Sequence, residues 1–233
     1  MGEEQLMKKL IILFLFGVAW LCQAGDIAVF SNLGFSDDSK YFMFVQYGVR
    51  AEESTPYAEL FLVDVKQNIF VPGGTSEFNY SRNVEPGDDG AGALFKILED
   101  NLPLTGKYGI NHLARGRILY QLLNGATPKE TLQFRDFNTG NHYTVKLIQT
   151  ASGSAEDVKS SFYIELTIAY ASGRTSTKTI GHAAYKRAGV KNYKIRQMFL
   201  SPDDTSLIIV LEKEQYIDDE LCIRYMVESA KIE

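Results

Sequence analysis

Punctuation is what most constrains this chain. From residue 27 to the end, apolar runs of strand length alternate with turn-forming clusters, and only one segment carries a clear helical stripe. Residues 27–30, 41–47, 59–65 and 69–71 are dense in aromatic and β-branched side chains, which suit a pleated, half-buried surface. Pro72-Gly73-Gly74 reads as a breaker ending the fourth run. Farther along, 131–137 and 142–150 flank Asn138-Thr139-Gly140-Asn141, and 161–170 and 175–183 flank Ala171-Ser172-Gly173-Arg174. Asn and Gly tolerate the positive φ that tight hairpin turns require. Residues 193–201 and 206–214 flank Pro202-Asp203-Asp204, and 221–229 make a final strand. Residues 117–122 are read as a strand in preference to a short helix over 112–123. The helix is expected near 90–101, with Leu94, Phe95, Ile97 and Leu98 on one stripe, Asp88 or Asp89 as cap and Pro103 beyond its end. The sum is about twelve strands and one clear helix. The expected fold is mainly β, an antiparallel propeller-like or sandwich β-domain.

The first 24 residues are expected to stand outside that fold. Lys8 and Lys9 precede an apolar stretch over 10–21, and Cys22-Gln23-Ala24 places small residues before Gly25. This is the three-part layout of a secretory signal peptide. The apolar stretch is 12 residues long, short of the roughly 20 that span a bilayer. Ala19-Trp20-Leu21-Cys22 faintly resembles a lipoprotein box, although bulky Trp20 and Leu21 argue against lipid attachment at Cys22. The expected organisation is therefore a leader over 1–24 and one β-rich domain over 25–233, in a periplasmic or secreted protein with no membrane span after cleavage.

Two segments repeat one pattern. Gly34-Phe35-Ser36-Asp37-Asp38-Ser39 and Phe199-Leu200-Ser201-Pro202-Asp203-Asp204 each precede an apolar run. Each reads as a strand end, a tight turn and a strand re-entering the core, with Ser36 and Ser201 accepting turn amides. Phe42, Phe44, Ile208 and Val210 are then expected to be core. The pattern resembles the Phe-Ser-Pro-Asp-Gly box of WD40-like β-propeller repeats, with Asp38 or Asp204 where the box has glycine. Two copies with different material between them fall short of the regular period of a full propeller. The wider pattern also resembles a family of predicted secreted bacterial proteins of unknown function. Gly34-Phe35-Ser36, Tyr41-Phe42, Gln46-Tyr47-Gly48, Pro56-Tyr57-Ala58-Glu59 and Arg224-Tyr225-Met226-Val227-Glu228 carry that resemblance. It implies export and a shared fold, and it brings no catalytic residues.

Few chemistries find support in the residues. His112, His142 and His182 stand apart, without zinc-ligand spacing, and the acidic pairs lack the alternation of a calcium loop. No metal and no cofactor are expected. No Gly-x-Ser-x-Gly elbow and no phosphate loop is written. Cys222 lies between Leu221 and Ile223 and reads as a buried thiol. Net charge is −5, against a general nucleic-acid binder.

Charge is unevenly placed. Residues 166–202 hold seven basic side chains and no acidic one, whereas 203–220 hold seven acidic ones. Two readings follow. Lys186, Arg187, Lys191 and Lys194, laced with Tyr185, form a positive face for an envelope protein or an anionic envelope polymer. Alternatively, the basic run pairs across strands with Asp218, Asp219 or Glu220. Tyr193 is read as either face or core. Gln46, Tyr47 and Gly48 leave a strand for a polar loop, as a structural exit or as a ligand-contacting edge. The functional expectation is an exported, non-enzymatic binding or scaffolding protein of the bacterial cell envelope. The alternative is an envelope hydrolase with dispersed catalytic residues.

Overall fold

A computed structural model describes residues 25–85, 87–218 and 220–232. The leader expected over 1–24, with Cys22, lies outside the described residues. The described chain forms fourteen strands and two α-helices, so the mainly-β expectation holds with more strands than the sequence suggested.

The first sheet contains β1 (Val29–Ser36), β2 (Tyr41–Val49), β3 (Pro56–Asp64), β4 (Ile69–Asn79) and the two-residue β5 (Ile110–Asn111). The second contains β7 (Thr131–Arg135), β8 (His142–Ser152), β9 (Lys159–Ala169), β10 (Thr175–Gly181) and the two-residue β11 (Arg187–Ala188). The third is made of β6 (Arg117–Gln121), β12 (Val190–Leu200), β13 (Ser206–Ile217) and β14 (Glu220–Lys231). Their strand orders are β4-β3-β2-β1-β5, β10-β9-β8-β7 with β11 on β9, and β14-β13-β12-β6. The named strand pairs are all antiparallel.

Side-chain alternation along β13 explains the layering. Ile208 and Val210 pack with Phe35, Phe42, Phe44 and Tyr57 of the first sheet. Leu207, Ile209 and Leu211 point the other way, into a core with Tyr143, Ile164 and Leu166 of the second sheet. The third sheet is thus the middle layer of a sandwich-like stack, buried on both faces. Phe42, Phe44, Ile208 and Val210 are core, as the repeated pattern predicts.

On the outer face of the first sheet lies α1 (Ala91–Asp100), followed at once by α2 (Leu102–Lys107). Ala93 and Ile97 are buried, with Leu94 and Leu98 beside them. Phe95 is 69% exposed, so it does not belong to the stripe; two residues beyond Ala93, it turns about 200° away from the buried face. Asp89 Oδ1 accepts the Ala91 N–H at 2.9 Å. Pro103 does not lie past all helix, because it sits in the first turn of α2, where its missing N–H costs nothing.

The breaker at Pro72-Gly73-Gly74 does not end a strand. β4 continues through it to Asn79, with the pairing register shifting between Phe61 and Val63. β4 is an edge strand, so Pro72 withholds no ladder bond that a neighbour needs, and Gly73 at φ 70° shapes the irregularity.

The two Ser-Asp boxes share three side-chain hydrogen bonds. Ser36 Oγ donates to Asp38 Oδ1 (2.8 Å) and accepts Tyr41 N–H (3.0 Å), while Lys40 N–H reaches Asp38 Oδ1 (3.2 Å). Ser201 Oγ donates to Asp203 Oδ1 (2.5 Å) and accepts Ser206 N–H (3.0 Å), while Thr205 N–H reaches Asp203 Oδ1 (3.2 Å). Ser39 and Asp204 follow, at φ 58° and 56°. The counterpart of Asp204 is therefore Ser39 rather than Asp38, and this pair occupies the left-handed position that suits glycine.

Candidate functional site

The three sheets converge on a cleft of about 690 Å³. Its floor is Met226, Val227 and Glu228 of β14. One wall is the β3–β4 turn, with Asn68, Ile69 and Phe70; the other is the β10–β11 connection, with His182, Tyr185 and Arg187. Asp64 Oδ1 accepts Gln67 N–H at 2.9 Å and Asn68 takes a positive φ of 55°, an Asx-type turn that delivers Asn68 to the floor. Phe70 packs against Phe61 as a tilted pair, ring centres 5.4 Å apart, yet stays 47% exposed, and Tyr185 is 60% exposed. Opposed, solvent-facing rings over an apolar floor are the usual make-up of a ligand site.

Arg187 is the cleft's cation. Its guanidinium lies 4.8 Å from the Tyr185 ring centre, 4.9 Å from Phe162 and 5.9 Å from Tyr193, so three ring faces hold it in place. Glu228 approaches it at 3.8 Å, beyond hydrogen-bond reach. The Nη1 atom of Arg187 is buried without a hydrogen-bond partner.

Glu228 is buried and takes a hydrogen bond from Asn68 Nδ2. Asn68 Oδ1 in turn accepts Ser229 N–H at 2.7 Å. Burial pushes the Glu228 carboxyl above its ordinary range, with Asn68 and Arg187 holding part of that rise back. Glu228 is the one carboxylate among the lining residues, whereas glycoside hydrolysis ordinarily needs two. Among the described residues, no three His, Cys, Asp or Glu side chains gather to hold a metal ion.

Of the residues singled out from sequence, the fold brings Tyr185 and Arg187 into the cleft. Lys186 and Lys191 are exposed beside and beyond them. Lys194 is half-buried and paired with Glu212 (3.3 Å) and Glu214 (2.6 Å). Its partners come from β13, Glu212 directly across the ladder and Glu214 diagonally, and not from Asp218 or Glu220 at the far hairpin. Tyr193 is core. The four basic residues therefore do not share one open face.

Gln46 and Tyr47 lie elsewhere. Gln46 is buried, donating to Glu59 Oε2 (2.6 Å) and accepting Tyr225 N–H (2.6 Å), so it bridges the first and third sheets. Tyr47 is half-buried against the core under α1. Nearby, Arg224 forms a two-pronged pair with Asp26, which also accepts the Tyr57 hydroxyl at 2.9 Å. Cys222 is buried, and burial pushes its thiol up, which leaves it unreactive. Asn68, Phe70 and Glu228 are not among the site residues expected from the sequence. Glu228 alone left a signal, as a charge directly after the apolar run 225–227.

A family model described as predicted secreted protein (DUF2259) matches residues 43–231. The chain belongs to this family. In this DUF2259 protein the matched span begins inside β2 and ends with β14, so it includes every cleft residue. No curated protein matches the chain. Among the described residues, no helix is long and apolar enough to cross a membrane. The family segments noted in the sequence meet in space: Gln46, Tyr57, Glu59, Arg224 and Tyr225 share the polar seam between the first and third sheets.

Proposed function

We propose that this DUF2259 protein is a non-enzymatic binding or scaffolding protein of the bacterial cell envelope, periplasmic or released after cleavage before Gly25, whose ligand seats in the three-sheet cleft. The observation that carries this reading is Arg187: a cation fixed by three rings, with one buried nitrogen unpartnered, between solvent-facing Phe70 and Tyr185. Lys186 and Lys191 are exposed and add positive potential that draws an anionic envelope component towards the site. The single lining carboxylate speaks for binding over hydrolysis. Kinship with WD40-like blades belongs to the same proposal, supported by the matching hydrogen bonds of the two boxes.

The test is a ligand-observed NMR screen of small envelope components and polymer fragments against the mature protein, followed by chemical-shift mapping. Binders are expected to perturb Phe70, Tyr185 and Arg187, and to weaken in Phe70→Ser and Tyr185→Ser, both exposed enough to preserve the fold. Binding that persists unchanged in both variants, or turnover of a bound component, overturns the proposal. Amino-terminal sequencing of the envelope fraction is expected to begin at Gly25.

A further inference from the structure

We infer that the cleft takes a small carboxylate ligand with an apolar or aromatic body, its carboxylate seated on Arg187 and sharing a proton with Glu228. This rests on the reading of the cleft as the ligand site and names the ligand's chemistry.

The argument begins with an unmet demand. Arg187 is largely withdrawn from water onto three ring faces, its side chain 21% exposed, and its Nη1 is buried with no acceptor. A buried donor without a partner is costly, and a charged one more so. Glu228 does not meet the demand: its Oε1 lies 3.8 Å from the other terminal nitrogen, Nη2, and its Oε2 accepts Asn68 from the opposite wall. An acceptor entering the cleft would meet the part of the guanidinium that stays exposed and supply the negative charge that Glu228 holds back. A carboxylate fits better than a phosphate, since one guanidinium matches one negative charge and no further Lys or Arg lines the site. Ile69, Phe70, Met226 and Val227 surround the remainder with apolar surface, which calls for a ligand body of the same character.

Two carboxyl groups beside one guanidinium must then share a proton. Burial already favours neutral Glu228. Protonated on the oxygen away from Asn68, it donates O–H to the ligand carboxylate. When Glu228 begins ionised, one proton is drawn from solvent for each ligand bound, and no bond other than O–H is made. The charged or titratable groups facing Glu228 are Arg187 of β11 with His182 and Tyr185 of the preceding connection; the β3–β4 turn contributes uncharged Asn68. Protonation of His182 would also favour an anion, so the two contributions must be separated.

The experiment uses 3-phenylpropionate, its neutral amide and phenyl phosphate as probes on the mature protein, followed by calorimetry and by shifts at Phe70 and Tyr185. The acid is expected to bind at least tenfold tighter than the amide, and more tightly at pH 5 than at pH 8, with proton uptake visible as a dependence on buffer ionisation enthalpy. Glu228→Gln is expected to keep binding and lose most of the pH dependence, while His182→Asn retains it. Arg187→Gln is expected to remove the preference for the acid; a thermal melt checks its fold, and the Glu228→Gln result stands independently of it. Equal affinity for acid and amide, or tighter binding of phenyl phosphate, overturns the carboxylate assignment while leaving the cleft as a ligand site. No shift at Phe70 or Tyr185 with any probe at millimolar concentration overturns both.

Discussion

Ser39 and Asp204 hold the same left-handed position in two turns at opposite ends of the chain. A non-glycine residue there is held against a steric cost of about 1–2 kcal/mol. Asp204 has a reason to stay, because it accepts Arg117 Nη2 at 3.1 Å. Ser39→Gly is therefore expected to be neutral or stabilising, and Ser39→Ala to be less stable than Ser39→Gly by about 1 kcal/mol, the reverse of the order in a helix. Urea denaturation of the three proteins checks this. The turn chemistry was legible residue by residue, since serine and aspartate cap locally whatever surrounds them. The cleft was half legible. Arg187 and Tyr185 belong to a run of one charge sign, but Asn68, Phe70 and Glu228 reach the site only because sheets distant in sequence are packed together.

At the level of elements, α1 rests on β2 through two glycines. A Cβ on Gly90 would meet Gly48 O at 2.5 Å, and one on Gly48 would meet the Tyr57 hydroxyl oxygen at 3.1 Å. Gly90 has φ −77°, so its backbone accepts any residue and only the close approach forbids a side chain. At an N-cap, Ala is already less favourable than Gly, by up to about 1 kcal/mol. Here Gly90→Ala is expected to lift α1 off the sheet and cost about 1–3 kcal/mol, as overpacking does. The readout is the denaturant midpoint, with Gly92→Ala, which meets nothing within 4 Å, as a control expected to be neutral or stabilising. Periodicity placed α1 within a residue of its observed ends. It misjudged Phe95 and the strand through Pro72, because residue type alone does not reveal which helix face is covered or which strand is an edge.

For the molecule as a whole, stability rests on how the sheets are fastened. Arg117 of β6 forms a fork with Asp136 of the β7–β8 turn (2.6 and 3.0 Å) and also reaches Asp204, tying the third sheet to the second. Burial of Asp136 opposes its charge, but Arg117, the Thr139 hydroxyl and the Asn138 N–H outweigh it and hold the carboxyl at about 2. A folded pKa below the unfolded value gives stability that is complete above about pH 4 and lost as pH falls towards 2, on the order of 2 kcal/mol. Asp136→Asn is expected to lower stability near pH 6 and to flatten the acid limb between about pH 4 and 2. Denaturation curves across that range provide the check. The strand content and the single layer of helix were written in the chain. The stacking order was not: alternation marks which residues point inward, and β13, buried on both faces, offers no clue to which sheet lies on which side.

The last strand has a further consequence. The open edge of β14 is covered by the first described residues, with Ala28 N–H bonded to Ile223 O at 3.1 Å, Ile223 N–H to Asp26 O at 2.9 Å, and Asp26 paired with Arg224. Contacts between segments so far apart in a chain form late, because the whole intervening loop must close first. A polypeptide emerging amino end first would hold its leading segment unattached until the final strand had arrived. Hairpins local in sequence, such as β1–β2 and β2–β3, need nothing from the tail, so what waits for it is the seam that joins the two ends.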